Sequence, residues 1–217
     1  MHVPQSWTIV LPVKPFARAK SRLASEYGVS REALAHAFFR DTLETALDTP
    51  TVVQVLVVTG DGQAATESRR LGAVPVPDEP PSGLNAAIST AAHYAQTLGH
   101  GGAIAVVTAD LPALRRTELA AVLEKAAGHR RAFLADHAGI GTTVLAAADP
   151  QWLRPAFEGN SRRSHTLTGA REIDGLYVPG ARLDVDTPDD LQLARRLGVG
   201  PHTYTVLAST AGHAATP

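Results

Sequence analysis

Residues 103–112 read AIAVVTADLP, a short apolar run that ends on an acid and a proline. Its richness in Ala, Val and Ile is typical of a strand that is buried on both faces of a sheet. Asp110 stands where this strand would end, and Pro112 turns the chain away. A buried strand of this kind indicates a sheet with helices packed on both sides.

Comparable runs recur along the chain and alternate with helical patterns. The other predicted strands are Trp7–Val13, Val52–Thr59, Arg131–Ala135 and Thr142–Ala147. Apolar spacing predicts helices over Leu84–Leu98, over Arg116–Ala127 and after Ser30, a candidate N-cap. This alternation predicts an α/β fold, a three-layer domain with a Rossmann-like, mostly parallel sheet. Ligands of such folds bind beyond the carboxyl ends of the strands.

Length and composition limit the remaining choices. With 217 residues, 44% of them hydrophobic, the chain can bury one core, so we expect one domain over residues 1–206. The small and polar residues 207–217 are expected to form a disordered tail. A formal charge of -1 gives no general attraction to nucleic acid or to an acidic membrane. The absence of cysteine excludes disulfides and thiolate chemistry.

Neither a membrane span nor a signal peptide is apparent in the sequence. No apolar run approaches the roughly 20 residues that a transmembrane helix needs, and the N-terminus lacks a basic segment followed by an apolar one. We therefore expect a cytoplasmic protein that contacts neither membrane nor nucleic acid. The oligomeric state stays open, with a homodimer as one expectation.

A basic loop follows the first predicted strand. Lys14, Arg18, Lys20 and Arg22 lie within it and could bind a polyphosphate through point charges and guanidinium forks. The alternative is a solvated basic turn. Neither the Walker phosphate loop nor a glycine-rich dinucleotide fingerprint after a strand is present, which disfavours kinases, GTPases and nicotinamide dehydrogenases.

Three acids are candidate ligands for a divalent cation. Asp110 ends a buried strand, and Asp184 and Asp186 flank the apolar Val185 in an extended segment. Alternation places the last two carboxylates on one face, where they could hold Mg²⁺. The alternative is that these acids only cap turns and helices.

The residues after Asp186 form a helix start. Thr187 suits the N-cap position and Pro188 the first helical position, so we assign Asp189 and Asp190 to the helix terminus. The helix is expected to continue to Gly198.

Two further segments are candidate ligand sites. Asn85, at the start of an Ala-rich helix, offers a donor and an acceptor to a nucleobase, although an ordinary Pro-turn would also account for it. The stretches 139–143 and 157–165 offer amides, hydroxyls and guanidinium groups to a phosphorylated acid. For His165, a structural or surface role is favoured over catalysis.

Taken together, residues 14–23, 108–112, 141–142, 161–165 and 183–188 have the order and spacing of a known family. The chain resembles the phosphoenolpyruvate / 2-phospho-L-lactate guanylyltransferases of deazaflavin coenzyme F-420 biosynthesis, from about Ile9 to Pro201. The resemblance implies a single-domain, glycosyltransferase-A-like nucleotidyltransferase fold. It also implies Mg²⁺ as cofactor, GTP and a small phosphorylated carboxylic acid as substrates, and release of pyrophosphate.

The resemblance, which matches Asp110, Asp184, Asp186, Thr142 and Ser161, and the chemistry of the other side chains together give candidate roles. Asp110, Asp184 and Asp186 match metal-binding acids, and Asp110 and Lys20 are the candidate catalytic residues. Lys14, Lys20, Arg22 and Asn85 are candidates for binding the nucleotide. Candidates for binding the phosphorylated acid are Thr142, Gly159, Ser161 and Arg162.

One position departs from the family pattern. Glu158 stands where the family usually has Gly, and Gly159 comes one place later. A carboxylate beside an anionic acceptor is unfavourable unless it points away or pairs with an arginine such as Arg162 or Arg163. This departure keeps 3-phosphoglycerate open as acceptor, and a non-catalytic nucleotide-binding protein is a further alternative.

Overall fold

The computed structural model describes residues 5–19, 23, 30–78, 83–98 and 102–211. The strands in this part of the chain are β1 (Trp7–Val13), β2 (Val52–Thr59), β3 (Val74–Pro77), β4 (Ala103–Val107), β5 (Arg131–Ala135), β6 (Thr142–Ala147) and β7 (Arg171–Glu172). The helices are α1 (Arg31–Leu47), α2 (Gly62–Leu71), α3 (Leu84–Thr97), α4 (Arg116–Ala127), α5 (Ser161–Leu167), α6 (Pro179–Arg182), α7 (Pro188–Leu197) and α8 (Pro201–Ala211).

The strands form one 7-stranded sheet in the order β3-β2-β1-β4-β6-β5-β7. Neighbouring strands are parallel, except that β6 runs antiparallel to both β4 and β5. The predicted mostly parallel α/β sheet is confirmed. Because β6 alone is reversed, its N-terminal end lies beside the carboxyl ends of its neighbours.

Two apolar clusters cover the two faces of this sheet. Ile9 and Leu11 of β1 pack with residues of α1 and α4 on one face. Val10, between them, packs with α3 on the other face. Successive side chains of a buried strand thus enter the apolar clusters on opposite faces of the sheet. The sheet with helices on both faces forms the three layers.

Two elements of the sheet were not predicted from the sequence. The strand β3 reads VPVP, and its prolines favour a turn in any local interpretation. It lies at the sheet edge, where a missing N–H is tolerated. The strand β7 has only 2 residues and is defined by its pairing with β5.

The end of the chain corrects another expectation. Residues 207–217 were expected to be disordered, but α8 extends through Ala211. Leu207 packs against a third apolar cluster, which includes residues of α1 and α7 and also Leu183 and Val185. The buried Asp41 of α1 accepts hydrogen bonds from the N–H groups of His202 (3.0 Å) and Thr203 (2.9 Å) and so caps α8. This contact is tertiary and invisible in local sequence; residues 212–217 lie outside the described residues.

Of the two helix N-caps predicted from the sequence, one makes a capping hydrogen bond and the other does not. Ser30 does precede α1, but its side chain makes no capping hydrogen bond. Thr187 caps α7, with Pro188 at its start, as predicted. No helix in the described ranges is both long enough and apolar enough to span a membrane.

Candidate active site

One cavity of about 740 Å³ lies at the edge of the sheet where the parallel strands end. Lys14 follows β1, while Asp110 and Asp136 follow β4 and β5. Thr142 is the first residue of the reversed strand β6 and therefore lies at the same edge. The cavity is thus located where α/β sheets bind ligands.

The cavity brings together most of the residues that the sequence singled out. Its lining includes Lys14, Asp110, Thr142, Gly159, Ser161, Asp184 and Asp186. Asn85 and Arg162 are not part of the lining. Lys20 and Arg22 lie outside the described residues.

Burial explains why Asp184 and Asp186 lie side by side in this cavity. Leu183 and Val185 are buried in the third apolar cluster, so the alternating Asp184 and Asp186 point the other way. The segment belongs to no strand. The Val185 N–H donates to the carbonyl oxygen of Asp110 (3.1 Å), which joins the segment to the end of β4.

The pKa of Asp184 reflects how close the acidic side chains of the cavity lie to one another. Burial is the largest cause that raises the pKa of Asp184 to about 7, and the negative charges of Asp110, Asp186 and Asp136 contribute to this rise in that order. Like charges this close repel one another unless a proton or a cation lies among them.

These acids suit a hard divalent cation, but their side chains are not already arranged around one metal position. Carboxylate oxygens are the donors that Mg²⁺ and Mn²⁺ prefer. Within the described ranges, no three His, Asp or Glu side chains already form a metal-binding cluster. The oxygen donors and the repulsion at Asp184 therefore fit a bound cation. The side chains would have to shift to bring their oxygens around it.

The turn after Asp186 confirms the assignment of Asp190 to the helix terminus. Thr187 and Asp190 form a reciprocal capping box at the start of α7. The Asp190 carboxylate accepts hydrogen bonds from the N–H groups of Thr187 (2.8 Å) and Asp186 (3.2 Å). The cap thus also fixes the backbone of Asp186.

Asp136 is a cavity residue that the sequence analysis missed. Its two carboxylate oxygens accept hydrogen bonds from the N–H groups of Ile140 (2.9 Å) and Gly141 (2.8 Å). A Cβ on Gly141 would come within 2.5 Å of this carboxylate, so the position needs glycine. Asp136 follows a buried strand, as Asp110 does, and that shared pattern was the available signal.

The loop after β1 is held from β2 and α2. The Thr59 hydroxyl donates to the carbonyl oxygen of Val13 (2.8 Å). The Phe16 N–H donates to Asp61 (3.1 Å), which also caps α2. Asp61 thereby helps to place Lys14 at the cavity, a role that a separation of 45 residues hides from the sequence.

His165 is buried beneath the cavity, with an exposed fraction of 0%. Its Nδ1 lies 3.0 Å from the Thr142 hydroxyl, and its Nε2 accepts a hydrogen bond from the Ala156 N–H (3.1 Å). The rings of Phe133 and Phe157 pack against it at 5.7 and 5.2 Å. Burial lowers the pKa of His165 to about 4, with a further contribution from Arg131, so the ring is neutral near pH 7.

Asn85 and Arg162 do not line the cavity, but they make hydrogen bonds to segments that do. The Asn85 side-chain oxygen accepts a hydrogen bond from the Phe157 N–H (2.8 Å) and ties the start of α3 to the loop before α5. Arg162 donates to Glu172 (3.1 Å) and to the Gly139 carbonyl oxygen (3.0 Å). These contacts connect walls of the cavity.

The side chain of Glu158, at the position that departs from the family pattern, does not face the cavity. Its side chain is exposed, not part of the cavity lining, and one carboxylate oxygen lies 3.8 Å from where a Cβ of Gly83 would stand. Arg162 pairs with Glu172 (3.1 Å). Phe157 and Gly159, on either side of Glu158, do line the cavity.

Comparison with solved structures supports the same architecture. A putative nucleotide-diphospho-sugar transferase from Desulfovibrio desulfuricans G20 has a TM-score of 0.70 at 15% identity, and the match covers 96% of each chain. The manganese complex of Rv0371C from Mycobacterium tuberculosis H37Rv has a TM-score of 0.56 at 20% identity, with 90% of this chain and 98% of that one covered. At these identities the likeness shows the fold alone, which is that of nucleotidyltransferases.

Comparison of sequences goes further than the fold. A phosphoenolpyruvate guanylyltransferase from Streptomyces avermitilis is 50% identical over 203 residues, covering 93% of this chain and 94% of that protein. The family model described as "Guanylyl transferase CofC like" matches residues 7–210. That range contains every cavity residue named above, and the resemblance stated from the motifs is confirmed. The chain belongs to the CofC-like guanylyl transferase family.

Proposed function

We propose that this protein transfers GMP from GTP to the phosphate of phosphoenolpyruvate, with release of pyrophosphate. One observation carries the proposal. A single cavity is lined both by the acids Asp110, Asp184 and Asp186 and by the hydroxyl-bearing Thr142 and Ser161. The acids suit a metal-bound triphosphate, and the hydroxyls suit a small anionic acceptor.

The chemistry needs positioning rather than a general base. A phosphate oxygen of the acceptor is already a charged nucleophile. It forms a bond to the α-phosphorus of GTP, while the bond between that phosphorus and the oxygen that bridges the α- and β-phosphates breaks, and pyrophosphate leaves with that oxygen. Catalysis then depends on aligning these atoms and on offsetting the charge of the leaving group. Lys14, at the end of β1, lies in the cavity where it can take part in this second task.

Asp110, Asp184 and Asp186 would hold Mg²⁺. When bound, the ion supplies charge neutralisation and polarises phosphate oxygens. The raised pKa of Asp184 supports this assignment, because a cation would stabilise the carboxylates that repel each other there. A protein with the same fold has been solved as a complex with manganese, which agrees with the use of a divalent ion.

Phosphoenolpyruvate is favoured over 2-phospho-L-lactate and 3-phosphoglycerate because the Streptomyces relative carries that name. The product would be the activated acid of coenzyme F-420 biosynthesis. Lys20 and Arg22 are proposed to meet the β- and γ-phosphates, and Asn85 to lie near the base. A cytoplasmic location follows from the need for GTP, and a homodimer remains part of the proposal.

Pyrophosphate release tests this function directly. Purified protein is mixed with GTP and Mg²⁺, and each of the three acids is added in turn, with a no-acceptor control. ATP and CTP replace GTP in parallel reactions. A downstream coupling enzyme traps the unstable product.

Release that requires both GTP and phosphoenolpyruvate is the expected result. Release with another of the three acids instead would change the acceptor and keep the nucleotidyl transfer. No release with any acid, from protein shown to be folded, would favour the alternative of a non-catalytic nucleotide-binding protein.

A further inference from the structure

The hydrogen-bond partners of His165 determine which of its nitrogens carries the proton. The backbone N–H of Ala156 can only donate, so Nε2, at 3.1 Å, must accept. A neutral imidazole has one N–H, which therefore lies on Nδ1. That N–H donates to the Thr142 hydroxyl oxygen at 3.0 Å.

This tautomer decides what Thr142 offers to the cavity. A hydroxyl has one proton to donate and two lone pairs to accept with. His165 occupies one lone pair, and within the described ranges this is the only hydrogen bond of the Thr142 hydroxyl. Thr142 lines the cavity, so its proton is available to a bound anion. The opposite tautomer would take that proton and leave lone pairs facing the anion.

The surroundings of His165 hold this arrangement in place. The ring is fully buried and packed between Phe133 and Phe157, so it cannot turn freely. Its low pKa, caused mainly by burial, keeps it neutral at physiological pH. The Ala156 contact also anchors the loop that carries Phe157 and Gly159 to the cavity.

We propose that His165 is a positioning residue that orients the Thr142 hydroxyl as a hydrogen-bond donor toward the phosphorylated acid. This inference rests on the proposed function, because it assigns the acid to the wall formed by Thr142. His165 itself does not reach the substrate. Its effect on turnover passes through Thr142.

Two substitutions of His165 test the roles of its two ring nitrogens separately. In His165→Asn, the amide nitrogen can stand near the Nδ1 position and still donate to Thr142. In His165→Gln, the amide oxygen can stand near Nε2 and still accept from Ala156, but the donor to Thr142 is lost. Thr142→Val removes the hydroxyl, and the exposed His93→Gln is the matched control.

Steady-state kinetics with each substrate varied in turn give the first readout. His165→Gln and Thr142→Val are each expected to raise the KM for the acid about tenfold, with the KM for GTP unchanged, since each weakens a hydrogen bond to a charged group. His165→Asn and His93→Gln should stay near wild type. The double variant His165→Gln/Thr142→Val should be no worse than Thr142→Val alone, because the two residues act through one contact.

The tautomer itself gives a readout that does not depend on activity. Long-range proton–nitrogen NMR of ¹⁵N-histidine-labelled protein, with His165 assigned by its loss in the Asn variant, should report a neutral ring protonated at Nδ1. A ring protonated at Nε2 would overturn the inference.

The kinetic results also distinguish this inference from the proposed function. If wild-type protein uses no acid at all, both fail. If wild-type protein is active but the Gln variant keeps a normal KM for the acid, or if the effects of the two single variants multiply in the double variant, only the role of His165 fails.

Discussion

Asp110 combines two tasks at one strand end. Its carbonyl oxygen accepts the hydrogen bond that joins the 183–186 segment to β4, and its side chain lines the cavity. Only the side chain is expected to take part in the chemistry. Substitution of Asp110 should therefore separate activity from folding.

Asp110→Asn is expected to lower kcat by about a hundredfold or more, since it removes charge needed where the transition state is stabilised. The backbone bond to Val185 stays, so the unfolding midpoint should change little. Pyrophosphate release and thermal unfolding are the measurements, with the exposed Asp174→Asn as control. Retained activity in Asp110→Asn would contradict the metal assignment.

Asp184 illustrates a conflict between stability and function. Its pKa is raised to about 7 by burial and by neighbouring acids, so its charged form destabilises the metal-free fold. A raised carboxyl pKa contributes stability at low pH that is lost as the pH rises from about 4 to about 7. Function nonetheless requires the charged form if it binds a cation.

Asp184→Asn should therefore stabilise the metal-free protein while abolishing turnover. We expect the variant to exceed wild type by about 1–3 kcal/mol at pH 8. The difference should shrink as the pH falls toward 4, where wild-type Asp184 is protonated in the folded state and about half protonated in the unfolded state. Denaturant unfolding in EDTA across this pH range measures it, with Asp189→Asn as control. A difference that does not vary with pH would show that the charge of Asp184 costs the fold nothing.

At the scale of elements, the sequence predicted the strands and helix starts that depend on residues next to them in the chain. The strand that ends at Asp110 and the helix start at Thr187 each rest on neighbouring residues, and both are present. Alternation of Leu183, Asp184 and Val185 places the acid in the cavity without any strand pairing.

The elements and contacts that escaped prediction depend on distant partners. The helix α8 is capped by Asp41, which lies about 160 positions earlier. The strand β3 overrides its prolines because it pairs at an edge. His165 meets Thr142 only because α5 packs against β5, the strand next to β6. Asp136 went unnoticed although it repeats the strand-end pattern of Asp110.

The start of α7 gives a prediction at this scale. Asp190→Ala removes the capping box and the acceptor for the Asp186 N–H. We expect a loss of about 1–2 kcal/mol in unfolding free energy. We also expect a several-fold higher Mg²⁺ concentration for half-maximal turnover, because Asp186 loses its backbone support.

Urea unfolding and a Mg²⁺ titration of turnover measure the two effects. Thr187→Ala is the comparison, since it weakens the cap but leaves the Asp190 carboxylate beside the Asp186 N–H. It should lose stability with a smaller change in Mg²⁺ dependence. An unchanged Mg²⁺ requirement in Asp190→Ala would mean that the cap does not support Asp186.

At the scale of the whole molecule, sheet topology assembles the site. Parallel strands bring Lys14, Asp110 and Asp136 to one edge, and the reversed β6 brings Thr142 there by its opposite end. The start of α5 and the segment after α6 close the remaining sides with Ser161 and Asp184. Since the acids repel one another, the apo protein is expected to gain stability when cation and nucleotide fill the cavity.

GTP and Mg²⁺ together should therefore raise the unfolding temperature of the whole chain. At about 100 times its Kd, a ligand that binds only the folded state contributes about 2.7 kcal/mol. For a chain of this size that corresponds to a shift of about 5–10 °C. EDTA should remove most of the shift, and Asp110→Asn should show little of it at the same Mg²⁺ concentration. A full shift with GTP in EDTA would place the triphosphate on basic groups alone, and the acidic wall would then need another role.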